Sequence, residues 1–126
     1  MEVWFNPSCS KCRTAVQRFE VAGVDFGIRR YLDEPPTVTE LDGVLRRLGK
    51  QPWEIARLGE PVAGELGMAD WPRADASRQR WIEAMAAHPS LIQRPILLLD
   101  DGGALVGRTS EALDEAVGRE GSQPEA

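Results

Sequence analysis

The sequence has few of the residues that build metal centres. It is 126 residues long and contains one histidine, His88, and one pair of cysteines, Cys9 and Cys12. A structural zinc site takes four ligands, commonly from two spaced cysteine pairs or from a pair joined by histidines. Because a second pair is missing, we expect no bound metal.

Long apolar runs are also absent. No segment approaches the roughly 20 apolar residues that span a bilayer. Residue 2 is glutamate, where a secretory signal would carry positive charge. We therefore expect a cytoplasmic protein without membrane contact. Thiols are kept reduced in the cytosol, so a close cysteine pair there is more typical of catalysis or metal binding than of a structural disulfide.

The chain lacks an excess of positive charge as well. Its formal net charge is −5, which disfavours nucleic-acid binding because that needs a basic surface. Thirteen of the fifteen basic residues are arginine. A planar guanidinium clamps an oxyanion better than an ammonium group does. A small anionic substrate is therefore compatible with the composition, provided that positive charge is gathered locally.

The first thirty residues predict a βαβ unit. Residues 2–5 favour a strand and residues 6–8 a turn, and apolar residues then recur at helical spacing from Ser10 to a terminating Gly23. Residues 24–31 favour a second strand. The two strands of such a unit run parallel.

The rest of the chain predicts a helical insertion followed by a ββα unit. Predicted in order are a helix over 37–48 opened by a capping box, short helical turns over 52–68, a helix over 76–87, strands over 95–99 and 104–106 joined by a hairpin turn, and a helix over 110–118. This order predicts an α/β protein with a thioredoxin-like fold, in which helices flank a four-stranded mixed sheet. We expect one domain over residues 1–118 and a disordered tail over residues 119–126.

Cys9 and Cys12 form the segment Cys9-Ser10-Lys11-Cys12 at the predicted start of the first helix. Unpaired N–H groups and the helix dipole favour a thiolate there, and Lys11 and Arg13 add positive charge. Cys9 is then a nucleophile near neutral pH, and Cys12 can resolve a mixed disulfide. Half of a zinc site and two inert core cysteines are the alternatives, but the βαβ setting favours redox chemistry.

Four segments of the chain resemble the glutaredoxin-coupled, ArsC-type arsenate reductase family, which shares its thioredoxin-like fold with the Spx-type regulators. The resemblance covers residues 2 to about 117. The segments are Asn6-Pro7-Ser8-Cys9-Ser10-Lys11-Cys12-Arg13, residues 56–67, His88-Pro89-Ser90-Leu91-Ile92-Gln93-Arg94-Pro95-Ile96, and Gly107-Arg108-Thr109-Ser110-Glu111.

This resemblance implies a role for five residues. Cys9 matches the nucleophilic cysteine of the family, and Pro95 matches the cis-proline that faces it. Arg57, Arg94 and Arg108 match the three arginines that bind the oxyanion. The implied reaction is thiol-dependent reduction of arsenate to arsenite, with no bound cofactor.

Two departures from the family pattern affect recycling and charge. Phe5 stands where the best-known reductases have a histidine, so that ring gives no electrostatic help. Cys12 replaces what is often serine or threonine, which suggests a Cys9–Cys12 disulfide that an external thiol donor reduces. Glutathione with glutaredoxin, thioredoxin, or a similar thiol carrier fits that role.

Two other functions fit the same resemblance. One is a glutaredoxin-like thiol–disulfide reductase whose arginines bind a carboxylate-bearing thiol. The other is an Spx-type regulator that binds RNA polymerase and uses the cysteine pair as a redox switch. Arg108 favours an enzyme over a regulator, because the regulators typically lack an arginine there.

Overall fold

A four-stranded mixed sheet organises the protein, whose computed structural model describes residues 1–121. Its strands stand in the order β2-β1-β3-β4. β1 pairs with β2 in parallel, and the pairs β1–β3 and β3–β4 are antiparallel. The strands are β1 (Glu2–Trp4), β2 (Gly27–Arg29), β3 (Ile96–Leu98) and β4 (Ala104–Val106).

Five α-helices accompany the sheet within residues 1–121. They are α1 (Ser10–Ala22), α2 (Val38–Leu48), α3 (Pro61–Leu66), α4 (Arg78–Ala87) and α5 (Ser110–Gly121), with 3-10 turns at Pro52–Glu54, Met68–Asp70, Asp75–Ser77 and Pro89–Leu91. This order confirms the predicted thioredoxin-like arrangement of βαβ, helical insertion and ββα. In this part of the chain, no helix combines the length and the apolar character needed to traverse a bilayer.

The described chain divides into two compact units. One contains Met1–Tyr31 and the chain from Arg94 onward, and the other is Leu32–Gln93. The first unit holds the sheet with α1 and α5, and the second is helical. A single domain over residues 1–118 stays a prediction.

The core of the first unit lies between the sheet and its two helices. Val3 of β1 and Leu97 of β3 are paired in register, and both side chains are fully buried. α1 and α5 cover this face with apolar residues at helical spacing. The core members are Val3, Ala15, Phe19, Leu97, Leu99, Leu113 and Ala116. Of the apolar residues at helical spacing in α1, Cys12, Ala15 and Phe19 are buried as predicted, whereas the last of them, Val21 and Ala22, are exposed.

The second unit is built around α2 and α4, which pack against each other. Trp81 of α4 is fully buried, and the rings of Trp53 and Trp71 meet it edge-on at centroid distances of 6.1 and 5.5 Å. Arg78 of α4 pairs with Asp42 of α2 at the edge of this contact. The half-buried ion pair therefore links α4 to α2, and aromatic packing links α4 to the segments around Trp53 and Trp71.

β2 is shorter than predicted. Residues 24–31 favour a strand, but only Gly27–Arg29 pair with β1. Gly23 ends α1 in the left-handed conformation, with φ at 69°, and the amide of Val24 donates to the Phe19 carbonyl at 3.1 Å. Val24 therefore belongs to the helix cap, and its N–H is not available to the sheet.

α5 is longer than predicted. It reaches Gly121, so the predicted end near residue 118 and a tail beginning at residue 119 are wrong. Arg119 holds the last turn, since its guanidinium donates to Glu115 and, through two nitrogens, to Asp101 at 2.8 to 2.9 Å. The predicted disorder of residues 122–126 lies outside the described residues.

The capping box predicted for α2 is confirmed, and its contribution to stability can be measured. The Thr37 hydroxyl accepts from the Glu40 amide at 3.0 Å, and the Glu40 carboxylate accepts from the Thr37 amide at 3.1 Å. Thr37→Ala leaves the Glu40 amide to water, so we expect the free energy of unfolding to fall by about 1 kcal/mol in urea titrations. Thr39→Ala on the exposed face of α2 is the matched control, with an expected change within about 0.5 kcal/mol. Equal losses in the two variants would contradict a capping role.

Candidate functional site

The loop before α1 holds Cys9 at the N-cap position of the helix. Asn6 shapes this loop, because its side-chain oxygen accepts from the Ser8 amide at 2.9 Å and its carbonyl accepts from the Cys9 amide at 3.0 Å. The Arg13 guanidinium reaches back to the Pro7 carbonyl at 2.8 Å. These hydrogen bonds hold the backbone of the loop and so place Cys9 at the start of α1.

The Cys9 thiol is more acidic than an ordinary cysteine. Burial opposes ionisation and by itself raises the pKa, but it is outweighed by donors that stabilise the thiolate. These donors are the backbone N–H of Cys12, the side chain of Arg94, the Cys12 thiol and the backbone N–H of Lys11. Together they lower the pKa of Cys9 from 9.0 to about 7. Cys9 is therefore substantially ionised near neutral pH.

The Cys12 thiol behaves in the opposite way. Its side chain is fully buried in the first turn of α1, and burial is the main cause that raises its pKa to about 11. A backbone hydrogen bond at Asn6 and the charge of Arg94 lower this pKa, but the charge of Cys9 and the hydrogen bond between the two sulfurs raise it further. Cys12 thus stays protonated while Cys9 is ionised, and its S–H is a donor to the Cys9 sulfur. Both cysteines carry free thiols.

Arg94 and Pro95 come to the site from the segment before β3. The peptide bond between them is cis, as predicted for Pro95. Pro95 is buried and Arg94 is half-buried, with its guanidinium hydrogen-bonded to the Cys9 sulfur. The structure therefore brings Arg94 to Cys9 and Cys12, from which it is distant in sequence.

The segment after β4 contacts the backbone around that cis bond. The Gly107 amide donates to the Pro95 carbonyl at 2.9 Å, and the Nη1 atom of Arg108 donates to the Arg94 carbonyl at 2.7 Å. A Cβ on Gly107 would lie 2.9 Å from Cδ1 of Leu97 and 3.2 Å from Cγ of Pro95, which is too close for a side chain without displacement of its neighbours. Gly107 is thus required for this close approach, and Arg108 reaches the site through Arg94.

Arg57 lies in the second unit, where its side chain is well anchored. Its Nε donates to Glu60 at 3.2 Å and its Nη1 to the side-chain oxygen of Gln93 at 3.1 Å. Its backbone N–H donates to the Leu91 carbonyl at 2.7 Å. The predicted role of Arg57 in binding an oxyanion stays a prediction.

Sequence reasoning assigned no role to Asn6, Gly107 or Gln93. Asn6 precedes a proline, and an Asx turn is a recognisable signal at that position. Gly107 shows its importance only through its distance to β3, and Gln93 only through its bond to Arg57. Phe5, at the position where a histidine would stand, packs against the core between the sheet and its helices. Within residues 1–121, no group of three or more His, Cys, Asp or Glu side chains is arranged to hold a metal ion.

Comparison with known proteins identifies the family of this site. A sequence model of the ArsC family matches residues 4–116. The chain belongs to the ArsC family.

Several relatives match this chain over nearly their full length. A protein from Streptomyces viridochromogenes, described as an uncharacterized protein in the glnII region, is 52% identical over 94% of this chain and 100% of its own. An arsenate reductase of Neisseria meningitidis serogroup A is 35% identical over 93% of this chain and 97% of its own. Among solved structures, the arsenate reductase from Vibrio cholerae superimposes with a TM-score of 0.80 at 34% identity, covering 92% of this chain and 98% of its own. The thioredoxin-like fold is therefore that of the ArsC family.

The lowered Cys9 pKa predicts a specific pattern of alkylation. We expect the rate of modification of Cys9 by iodoacetamide to rise with pH through a midpoint near 7, because only the thiolate reacts. Cys12 is the internal control and should remain unmodified in the folded protein below about pH 9, because it is buried and protonated. Peptide mapping by mass spectrometry distinguishes the two sites. A Cys9 midpoint near 8.5, the value of a free cysteine, would contradict the electrostatic account.

Proposed function

We propose that this ArsC family protein reduces arsenate to arsenite, with Cys9 as the nucleophile. The observation that carries the proposal is the Cys9 thiol, with a pKa of about 7 at a helix N-terminus and in contact with Arg94. A thiolate beside a guanidinium suits attack on a negatively charged, tetrahedral oxyanion. The relatives named arsenate reductase, at 34 to 35% identity, support arsenate as the substrate.

The first step forms a bond between the Cys9 sulfur and arsenic. The thiolate supplies the electron pair, and an arsenate hydroxyl leaves as water after it takes up a proton. In the second step another thiolate attacks the Cys9 sulfur, so that a disulfide forms and the S–As bond breaks. The electron pair of that bond goes to arsenic, and As(V) becomes As(III). Two thiols thereby supply the two electrons of the reduction.

Arginines stabilise the negative charge on the arsenate oxygens in this proposal. Arg94 is the best supported of them, because its guanidinium is already hydrogen-bonded to the reacting sulfur. Arg108 uses one nitrogen for the Arg94 carbonyl, and a guanidinium has further donors for an oxyanion. Arg57 is included because it matches the family motif. Fork-shaped donors of this kind bind oxyanions with defined geometry.

Cys12 is proposed as the thiol that resolves the adduct, which gives a Cys9–Cys12 disulfide. Its S–H is hydrogen-bonded to the Cys9 sulfur, so the two reacting atoms are already neighbours. An external thiol donor, either thioredoxin or glutaredoxin with glutathione, then reduces the disulfide. The proposal needs no bound cofactor, since all the electrons come from thiols.

A glutaredoxin-like thiol–disulfide reductase is the second candidate function. The observation in its favour is the separation of the two thiol pKa values, about 7 for Cys9 and about 11 for Cys12. One ionised attacking thiol and one protonated resolving thiol also suit disulfide exchange. An Spx-type regulator would use the same pair as a switch, but a protein without an oxyanion substrate has no need for the arginine at position 108.

Coupled turnover tests the proposed activity. We expect arsenate to increase NADPH consumption well above background when the reduced protein is supplied with thioredoxin and its reductase, or with glutathione, glutaredoxin and its reductase. Phosphate at the same concentration is the control, because it is a similar oxyanion that thiols do not reduce. Arsenite should appear in proportion to the NADPH consumed. If neither system responds to arsenate while a mixed disulfide of glutathione is reduced, the second candidate function is correct.

Substitution of each cysteine separates attack from recycling. Cys9→Ser removes the nucleophile, so we expect no arsenate reduction above background with any donor. Cys12→Ser keeps the nucleophile, so we expect this variant still to form one equivalent of arsenite per protein when glutathione supplies the second thiol. Its thioredoxin-coupled turnover should fall by at least about tenfold, because the resolving thiol is missing. Single-turnover formation of arsenite is the measurement. Activity in Cys9→Ser would mean that another group attacks arsenic.

A further inference from the structure

The segment after β4 holds both carbonyl groups of the two consecutive residues Arg94 and Pro95. The Gly107 amide donates to the Pro95 carbonyl at 2.9 Å. The Arg108 guanidinium donates to the Arg94 carbonyl at 2.7 Å. Two consecutive residues thereby fix two consecutive carbonyls, on the segment that brings Arg94 to Cys9.

We propose that Arg108 is a positioning residue, which fixes the Arg94 backbone so that the Arg94 guanidinium is held against the Cys9 sulfur before any substrate binds. The inference rests on the proposed role of Cys9 as the nucleophile, but it does not depend on which oxyanion is reduced. Arg108 thus has a function in the resting protein, in addition to any contact with substrate.

The type of hydrogen bond supports a positioning role. A charged donor on a carbonyl forms a stronger and shorter bond than a neutral donor does, and 2.7 Å is at the short end for nitrogen and oxygen. Arg108 is half-buried, so water competes less for this bond than it would on an open surface. The Arg94 carbonyl belongs to the same residue whose side chain meets Cys9, so rotation of this backbone would move the guanidinium.

Close packing limits the freedom of the same segment. Gly107 lies so near β3 that even a Cβ would meet Leu97 at 2.9 Å and Pro95 at 3.2 Å. Arg108 therefore extends from a backbone that packs directly on the residue after Arg94. Because of this packing, the Arg108 backbone has little freedom to move relative to Arg94.

Two ionisable side chains are among the main influences on the acidity of the Cys9 sulfur. They are Arg94, from the segment before β3, and Cys12, one turn along α1. Lys11 acts through its backbone N–H. Loss of the Arg94 contact should therefore reduce the acidity of Cys9.

The experiment measures the pH midpoint of Cys9 alkylation in the substrate-free protein, in a Cys12→Ser background so that one thiol reacts. We expect Arg94→Gln to raise the midpoint by about 0.5 to 1, and Arg108→Gln to raise it by a similar amount. At pH 6.5 that rise leaves about three- to eightfold less thiolate. The double variant should show no further rise, because Arg108 acts only through Arg94.

Arg18→Gln is the matched control for loss of positive charge. Arg18 lies on α1, is partly exposed and pairs with Asp114, so its removal should leave the midpoint unchanged. Near-ultraviolet circular dichroism verifies that each variant is folded. If Arg108→Gln does not fold, Arg108→Lys takes its place, and a rise is still expected because the lysine side chain is one bond shorter than the path to Nη1, so its ammonium does not reach the same position at the carbonyl.

Three results would overturn the proposal. The first is a midpoint in the Arg108 variant that equals that of its parent. The second is an additive rise in the double variant, which would mean that Arg108 acts on the sulfur directly. The third is an Arg94→Gln midpoint that does not move. Failure of the arsenate assay leaves these measurements unaffected, so it would reject the proposed substrate and not the positioning role.

Discussion

The ionised sulfur of Cys9 is the constraint on which the rest of the site depends. Burial makes a thiolate costly, and the protein offsets that cost with donors from the first turn of α1 and with the guanidinium of Arg94. The backbone N–H donors follow directly from the local sequence, since Cys9 is the N-cap residue of α1. Arg94 belongs to a distant segment of the chain, just before β3, and the pairing of β3 with β1 brings that segment close to Cys9. The acidity of this thiol is therefore a property of the folded protein.

The two cysteines divide the chemistry because their surroundings differ. Burial is the main reason that Cys12 stays protonated at neutral pH, and the thiolate on Cys9 adds to it by charge and by the hydrogen bond between the sulfurs. In the proposed reaction, bonding of Cys9 to arsenic removes that negative charge. Two of the causes that raise the pKa of Cys12 then disappear, while the charge of Arg94 continues to lower it. Cys12 would thus become a better nucleophile once there is an adduct for it to attack.

Local signals made most of the fold predictable, and the errors lie where tertiary contacts decide. The capping box at Thr37 and the βαβ order are local, and both are confirmed. β2 was predicted too long because the apolar residues after Gly23 look like a strand, although Val24 is used by the helix cap. α5 was predicted too short because Gly118 resembles a helix end. Arg119 continues the helix through ion pairs with Asp101 and Glu115, and the first of these is not local.

The site was predictable only where one segment contains its parts. Cys9 and Cys12 are three residues apart, but the contacts between Arg94 and Cys9 and between Arg108 and the Arg94 carbonyl join distant segments. Family resemblance named these arginines without saying what they touch. The contacts that Arg94 and Arg108 make in the protein without substrate bear on the proposed reaction. As the sulfur bonds to arsenic, negative charge moves from sulfur to the arsenate oxygens. An arginine fixed beside the sulfur is then already within reach of those oxygens, so it needs little rearrangement to stabilise the transition state.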